Sequence, residues 1–155
     1  HMSDDIWFFK LLGGVYLMVN EYSCGAILFS YVNNVRKYVL VQEASGTYGF
    51  PKGHKENNET DLETAKREIW EETGIKPTFI PNMKRTIRYR LLNGNIKEVT
   101  LFVAKYDNQE LKCINANEIL AIKNFDLEAA ISMLKFSELK NILLEIDFML
   151  DARGE

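Results

Sequence analysis

Glu68, Glu71 and Glu72 stand at i, i+3 and i+4 within the run Arg67-Glu68-Ile69-Trp70-Glu71-Glu72. On a helix turning about 100° per residue, that spacing sets three carboxylates on one side. Like charges this close destabilise a helix, and in its C-terminal half the macrodipole opposes anions as well. A divalent cation would offset both effects, and carboxylate oxygens suit Mg²⁺ or Mn²⁺. A solvated acidic face is the competing reading of the three glutamates taken alone.

The flanking residues overturn that competing reading. Gly53, then Glu59, then Arg67-Glu68-Ile69-Trp70-Glu71-Glu72-Thr73-Gly74-Ile75 fit the pattern G-x5-E-x7-R-E-U-x-E-E-x-G-U, with U a bulky aliphatic residue, at nine fixed positions over 23 residues. This segment resembles the Nudix box, and the chain is similar to the Nudix (MutT-like) hydrolases from about Ser23 onward. The resemblance implies an α/β (α+β) fold, the Nudix-type α/β/α sandwich around a mixed sheet. It implies a metal-dependent pyrophosphohydrolase that cuts a phosphoanhydride bond of a nucleoside diphosphate linked to a further group X, with Mg²⁺ or Mn²⁺ as cofactor. By position it assigns Glu68, Glu71 and Glu72 as metal ligands, with the Gly53 carbonyl as a further candidate. Arg67 and Glu59 become structural supports. Arg67 is spaced to pair with Glu63 and Glu71, and Glu59 to brace the loop–helix junction.

The implied chemistry is physically coherent. Metal ions neutralise phosphate oxygens, orient and acidify water, and stabilise a leaving oxygen, while a nearby carboxylate takes the proton. The catalytic candidates are Glu71 and Glu72 on the helix and Glu118 in the loop Asn115-Ala116-Asn117-Glu118, with Glu72 and Glu118 the two candidates for the base. A plain surface acid is the other reading of Glu118.

Upstream of the box, Tyr48-Gly49-Phe50-Pro51-Lys52-Gly53-His54, followed by Asp61-Leu62-Glu63-Thr64-Ala65, resembles the asymmetric diadenosine tetraphosphate hydrolases and their bacterial relatives. The resemblance implies that Lys52 contacts phosphates, as a point charge, against the alternative of a solvated loop lysine. It also implies a base-stacking tyrosine and phosphate-binding cations on the hairpin around Asn93-Gly94, for which Tyr89 and Lys97 are selected. Such stacking is worth about 1–3 kcal/mol; an ordinary strand aromatic is the competing reading. Alternation puts Arg88 and Arg90 on the face opposite Tyr89, so the two sets cannot line one pocket.

The resemblance therefore implies a substrate such as diadenosine tetraphosphate, cut to ATP plus AMP. Phe50 stands where that subgroup doubles its proline, and Asn57-Asn58-Glu59 replaces its usual Pro-Gly-Glu. Nucleoside triphosphates, nucleotide sugars, RNA 5′ ends and inositol pyrophosphates thus stay open. A non-catalytic nucleotide sensor generally loses box glutamates, and this chain keeps all of them. An isomerase of the isopentenyl diphosphate type usually needs a catalytic cysteine and a degenerate box, whereas Cys24 reads as a small buried hydrophobe in the first predicted strand.

The elements that must position these residues follow from periodicity. Strands are expected at 24–29 and 37–42, joined through Asn33-Asn34 as a hairpin, with residues 44–53 a loop. Thr60-Asp61-Leu62-Glu63 reads as a capping box, opening a helix to Thr73 with Leu62, Ala65 and Ile69 buried and Gly74 ending it. Residues 85–91 and 96–106 form a second hairpin across Asn93-Gly94, and 121–125 a weaker strand. Helices are expected at 126–134 and 137–150, the latter burying Leu139, Ile142, Leu143, Ile146 and Leu150. That order predicts a mixed sheet with helices on both faces.

The chain has 155 residues, 46% hydrophobic and 26% charged, with 19 basic against 22 acidic side chains. It carries apolar material for a real core, which excludes a disordered chain. A pI near 5.5 argues against stable nucleic-acid binding through bulk charge. Two cysteines, Cys24 and Cys113, are too few for a disulfide framework, so a reducing cytoplasm is expected, with a nucleotide or dinucleoside polyphosphate as partner and a monomer or homodimer as the assembly. His1-Met2 reads as a tag scar. Residues 3–22 read as an extension whose apolar part is too short to cross a bilayer, and 23–155 as a single domain. Leu12-Gly13-Gly14 ahead of Met18 raises the expectation that translation naturally starts at Met18 and that residues 3–17 are not native, which the codons would test.

Overall fold

In the computed structural model, which describes residues 7–8, 18–115 and 118–155, a mixed sheet of eight strands carries helices on both faces. The strands are β1 (Trp7–Phe8), β2 (Glu21–Val32), β3 (Val35–Glu43), β4 (Tyr48–Gly49), β5 (Lys52–His54), β6 (Thr78–Arg90), β7 (Ile96–Lys105) and β8 (Ile119–Phe125). The helices are α1 (Asp61–Thr73), α2 (Leu127–Met133) and α3 (Ser137–Ala152). The strand order is β1-β6-β7-β2-β3-β4, with β5 added to β2 and β8 to β3. The central β2–β7 pair is parallel and the other pairings are antiparallel.

Alternation along β2 builds two cores. Ile27 and Phe29 join Tyr38, Leu40, Val99 and Leu101 under α2 and α3. Cys24, Ala26 and Leu28 join Val39 beneath Ala65 and Ile69 of α1 on the opposite face. Period-2 side-chain direction is the cause, and with both faces covered it yields the expected layered sandwich. All five residues expected to face the core from α3 are buried. Among the described residues, no helix is long and apolar enough to cross a membrane.

The turns follow their chemistry. Asn33 and Asn34 take φ of 50° and 64°, the pair of positive values that a tight hairpin turn demands. In α1 the Thr60 hydroxyl accepts from Glu63 N at 3.1 Å and the Glu63 carboxylate accepts from Thr60 N at 3.0 Å, closing the capping box. Gly74 ends the helix at φ 71°.

Several expectations are corrected. Leu62 is 36% exposed, and the buried residues of α1 are Thr64, Ala65, Ile69 and Thr73. Glu63 is spent on the capping box, not on Arg67. The segment 44–53 contains the short strands β4 and β5, held by pairing to β3 and β2. β6 begins at Thr78, with its register shifted between Phe79 and Lys84; Asn82 there takes φ 60°. The Asn93-Gly94 hairpin forms, but Leu91 and Asn95 close a longer loop in which Gly94 N donates to Leu91 O at 2.9 Å. Of residues 1–17, only 7–8 are among the described residues, so the expectations about the tag scar and about residues 3–17 fall largely outside them. Trp7 and Phe8 pair with Arg90 and Tyr89 at the sheet edge.

Candidate active site

The second half of α1 brings Glu68, Glu71 and Glu72 to the wall of a cleft of ≈ 730 Å³. Facing them are Lys52 and Gly53 from β5, Tyr89 from β6, Lys97 from β7 and Glu118 just before β8. The cleft thus gathers the sequence-selected metal, catalytic and substrate candidates in one place.

Gly53 explains itself by contact. It pairs with Cys24 on β2, and a Cβ built on it would lie 2.1 Å from Glu68 Cδ. Only a residue without a side chain lets the Glu68 carboxylate rest there.

Arg67 organises the acids. Its Nε donates to Glu59 Oε2 at 2.7 Å, and one terminal nitrogen reaches Glu68 Oε1 at 2.8 Å and Glu71 Oε2 at 3.3 Å. The other donates to Glu59 Oε1 at 3.0 Å and to the His54 carbonyl at 2.9 Å, which ties the end of β5 and the loop after it to the helix. Glu59 also accepts from Glu56 N at 2.9 Å and from the Thr64 hydroxyl at 3.0 Å. The Arg67 guanidinium holds the Glu59 carboxyl down to about 2.

The remaining acids are pushed the other way. Burial raises Glu68, against the pull of Arg67. Burial pushes Glu72 up to about 8, although Lys52 N donates to its Oε1 at 3.1 Å. Among the described residues, no three His, Cys, Asp or Glu side chains already converge on one cation position, and Arg67 occupies one oxygen each of Glu68 and Glu71. The donor chemistry nevertheless fits a hard divalent cation: three carboxylates share one wall, and two carry a burial cost that such an ion relieves.

On the opposite wall, Lys97 lies directly across from Tyr89. Burial, with Lys52 nearby, draws the Lys97 ammonium down to about 8. Tyr89 is only 2% exposed, so its ring walls the cleft and the core beneath without offering an open face for stacking. Alternation resolves the hairpin cations as well. Arg88 points away and pairs with Glu98 at 2.7 Å, Arg90 donates to the Gly94 carbonyl at 3.3 Å, and Arg85 meets Glu145 of α3 at 3.2 Å.

Glu43 and Ser23 are among the cleft residues that sequence reasoning did not select. Glu43, at the end of β3, lies 3.9 Å from Lys52 Nζ. Ser23, near the start of β2, lines the cleft while 1% exposed. Neither belongs to a local motif; a serine at the head of an apolar strand was the one available signal.

The NUDIX domain model matches residues 25–144. The asymmetrical bis(5′-nucleosyl)-tetraphosphatase of Mus musculus is 31% identical over 134 residues, covering 79% of this chain and 90% of that protein. A crystal structure of a C. elegans Ap4A hydrolase binary complex superposes with a TM-score of 0.80 at 23% identity, over 86% of this chain and 99% of that one. The NUDIX domain of Shewanella oneidensis NrtR, solved with ADP ribose, superposes at 0.68 and 21% identity, over 86% of this chain and 90% of that one.

Proposed function

The chain belongs to the NUDIX family and is a hydrolase of pyrophosphate bonds, and we propose that its substrate is a dinucleoside polyphosphate, diadenosine tetraphosphate being cut to ATP plus AMP with Mg²⁺ or Mn²⁺ as cofactor. The observation that carries this reading is one cleft with an acidic wall, Glu68, Glu71 and Glu72, facing a basic one, Lys52 and Lys97. The likeness to the mouse tetraphosphatase supports the substrate class.

Glu68, Glu71 and Glu72 would hold the cation, with the Gly53 carbonyl as a further donor. The bound ion supplies charge neutralisation and acidification of the attacking water. Lys52 and Lys97 bind phosphate oxygens and hold the chain of phosphates along the cleft. Glu72 or Glu118 accepts the water proton as the oxygen attacks phosphorus. Arg67, fixed by Glu59, keeps Glu68 and Glu71 aimed into the cleft. With two cysteines, too few for a disulfide framework, a reducing, cytoplasmic setting is part of the same reading. A hydrolysis screen of dinucleoside polyphosphates, nucleotide sugars and nucleoside triphosphates with each metal tests the reading. ATP plus AMP from diadenosine tetraphosphate is expected; inactivity on it beside strong turnover of another compound would overturn the substrate assignment.

A further inference from the structure

Ser23 is a cleft residue to which the reaction above gives no part. It is 1% exposed, and among the described residues its Oγ has no hydrogen-bond partner. A buried hydroxyl without a partner bears an unmet desolvation cost, and groups so buried are nearly always paired. An orphan hydroxyl on a cleft wall therefore points to a partner that enters from the cleft.

Its surroundings define that partner. Ser23 is in register with Val99 of β7 and His54 of β5. Lys97, two residues before Val99, shares the face of Val99 and so of Ser23. On the other edge of β2, Gly25 pairs with Lys52. A Cβ on Gly25 would lie 2.0 Å from the Pro51 carbonyl oxygen, so the bare backbone there is what lets the Lys52 segment lie flat against β2. Ser23 thus stands between two lysines that border the same cleft. Ammonium groups only donate, and a hydroxyl can donate too. One acceptor-rich anion satisfies all three.

We propose that Ser23 is a substrate-binding residue, its hydroxyl donating to a phosphate oxygen held between Lys52 and Lys97 and so completing an anion subsite on the sheet floor beside the carboxylate wall. Naming the anion as a substrate phosphate rests on the pyrophosphohydrolase reading; the subsite itself does not.

The test uses the full chain with Ser23→Ala and Ser23→Cys. Calorimetry measures binding of inorganic tripolyphosphate, steady-state kinetics on diadenosine tetraphosphate with Mg²⁺ separates KM from kcat, and thermal denaturation gives Tm. Loss of a hydrogen bond to a charged group predicts tripolyphosphate binding and KM weakened about 10- to 100-fold in Ser23→Ala. Tm stays level or rises, since an unpaired buried hydroxyl is gone. Ser23→Cys, a weaker donor of similar shape, falls between, and it decides the matter if the alanine variant does not fold. Unchanged tripolyphosphate binding, or a lowered Tm with unchanged binding, overturns the proposal. Wild type that binds tripolyphosphate through Ser23 but hydrolyses nothing keeps the subsite and removes the reaction reading. Wild type that hydrolyses diadenosine tetraphosphate without binding tripolyphosphate overturns the subsite alone.

Discussion

Gly53→Ala should cripple turnover while leaving the fold standing. A Cβ at Gly53 would meet Glu68 Cδ at 2.1 Å and its two oxygens at 2.2 and 2.4 Å. Ordinary contact begins at 3.4 Å, so the carboxyl must retreat by about 1.3 Å. Gly53 is not among the glycines at positive φ, so alanine strains no backbone there. The clash falls on the end of a flexible side chain, which can swing away. Misplacing a catalytic group by about 1 Å costs about 10²-fold in rate, or about 2.7 kcal/mol of barrier. Initial rates of diadenosine tetraphosphate hydrolysis across a Mg²⁺ series, with thermal denaturation alongside, give the answer. The expected result is kcat/KM down about 100-fold with Tm nearly unchanged. Gly25→Ala is the contrast: its Cβ would meet the backbone oxygen of Pro51 at 2.0 Å and Lys52 Cα at 2.6 Å. Neither atom can yield, so that variant should lose stability outright. Wild-type turnover in Gly53→Ala, or its unfolding while Gly25→Ala stays folded, would refute the reasoning.

Three further outcomes follow from the geometry. Arg67 holds the Glu59 carboxyl down to about 2 from its ordinary 4.5, and a depressed carboxyl contributes stability that is complete above the unfolded value and lost as pH falls. Urea midpoints should therefore drop between pH 4.5 and 2, and drop less in Glu59→Gln, which starts lower at pH 7; equal slopes would contradict the pairing. Tyr89→Ala, removing a ring 2% exposed, should destabilise the fold by about 3–5 kcal/mol in urea titration; a raised KM at undiminished stability would instead mark an exposed stacking ring. Burial, reinforced by Asp61, pushes the Cys24 thiol up to about 12, so a thiol reagent at pH 8 should find Cys113 in the native protein and both cysteines only in denaturant. Rapid native labelling of two thiols would contradict it.

The catalytic helix was legible because its spacing is local. The capping box, the i, i+3, i+4 acids and the closing Gly74 all lie within one turn-by-turn pattern. The layering was legible from the order of strands and helices, but the split of β2 between two cores was not, because its apolar run 24–29 gives both faces hydrophobic side chains. Contacts that depend on chain reversal were not legible either. Arg67 finds Glu59, eight residues back, because the loop after β5 folds onto the helix; helical spacing instead suggested Glu63, which the capping box consumes. β4 and β5 are two and three residues long and exist by pairing with β3 and β2. Glu43 and Ser23 reach the cleft from strand ends. For Tyr89, alternation gave the face, while the depth of burial depended on the core cluster it joins with Val99 and Leu101 of β7 and Leu139 of α3.

The central claim is that the carboxylates of α1 run a pyrophosphate hydrolysis on a dinucleoside polyphosphate. Its most direct test is chromatography of the products of diadenosine tetraphosphate with Mg²⁺, using wild type, Glu71→Gln and Glu72→Gln, with circular dichroism on each. The account predicts ATP plus AMP from wild type, and folded variants slowed by about 10²- to 10⁴-fold, Glu72→Gln by losing a proton acceptor and Glu71→Gln by losing a carboxylate that would hold the cation. Wild-type turnover in both variants would contradict it.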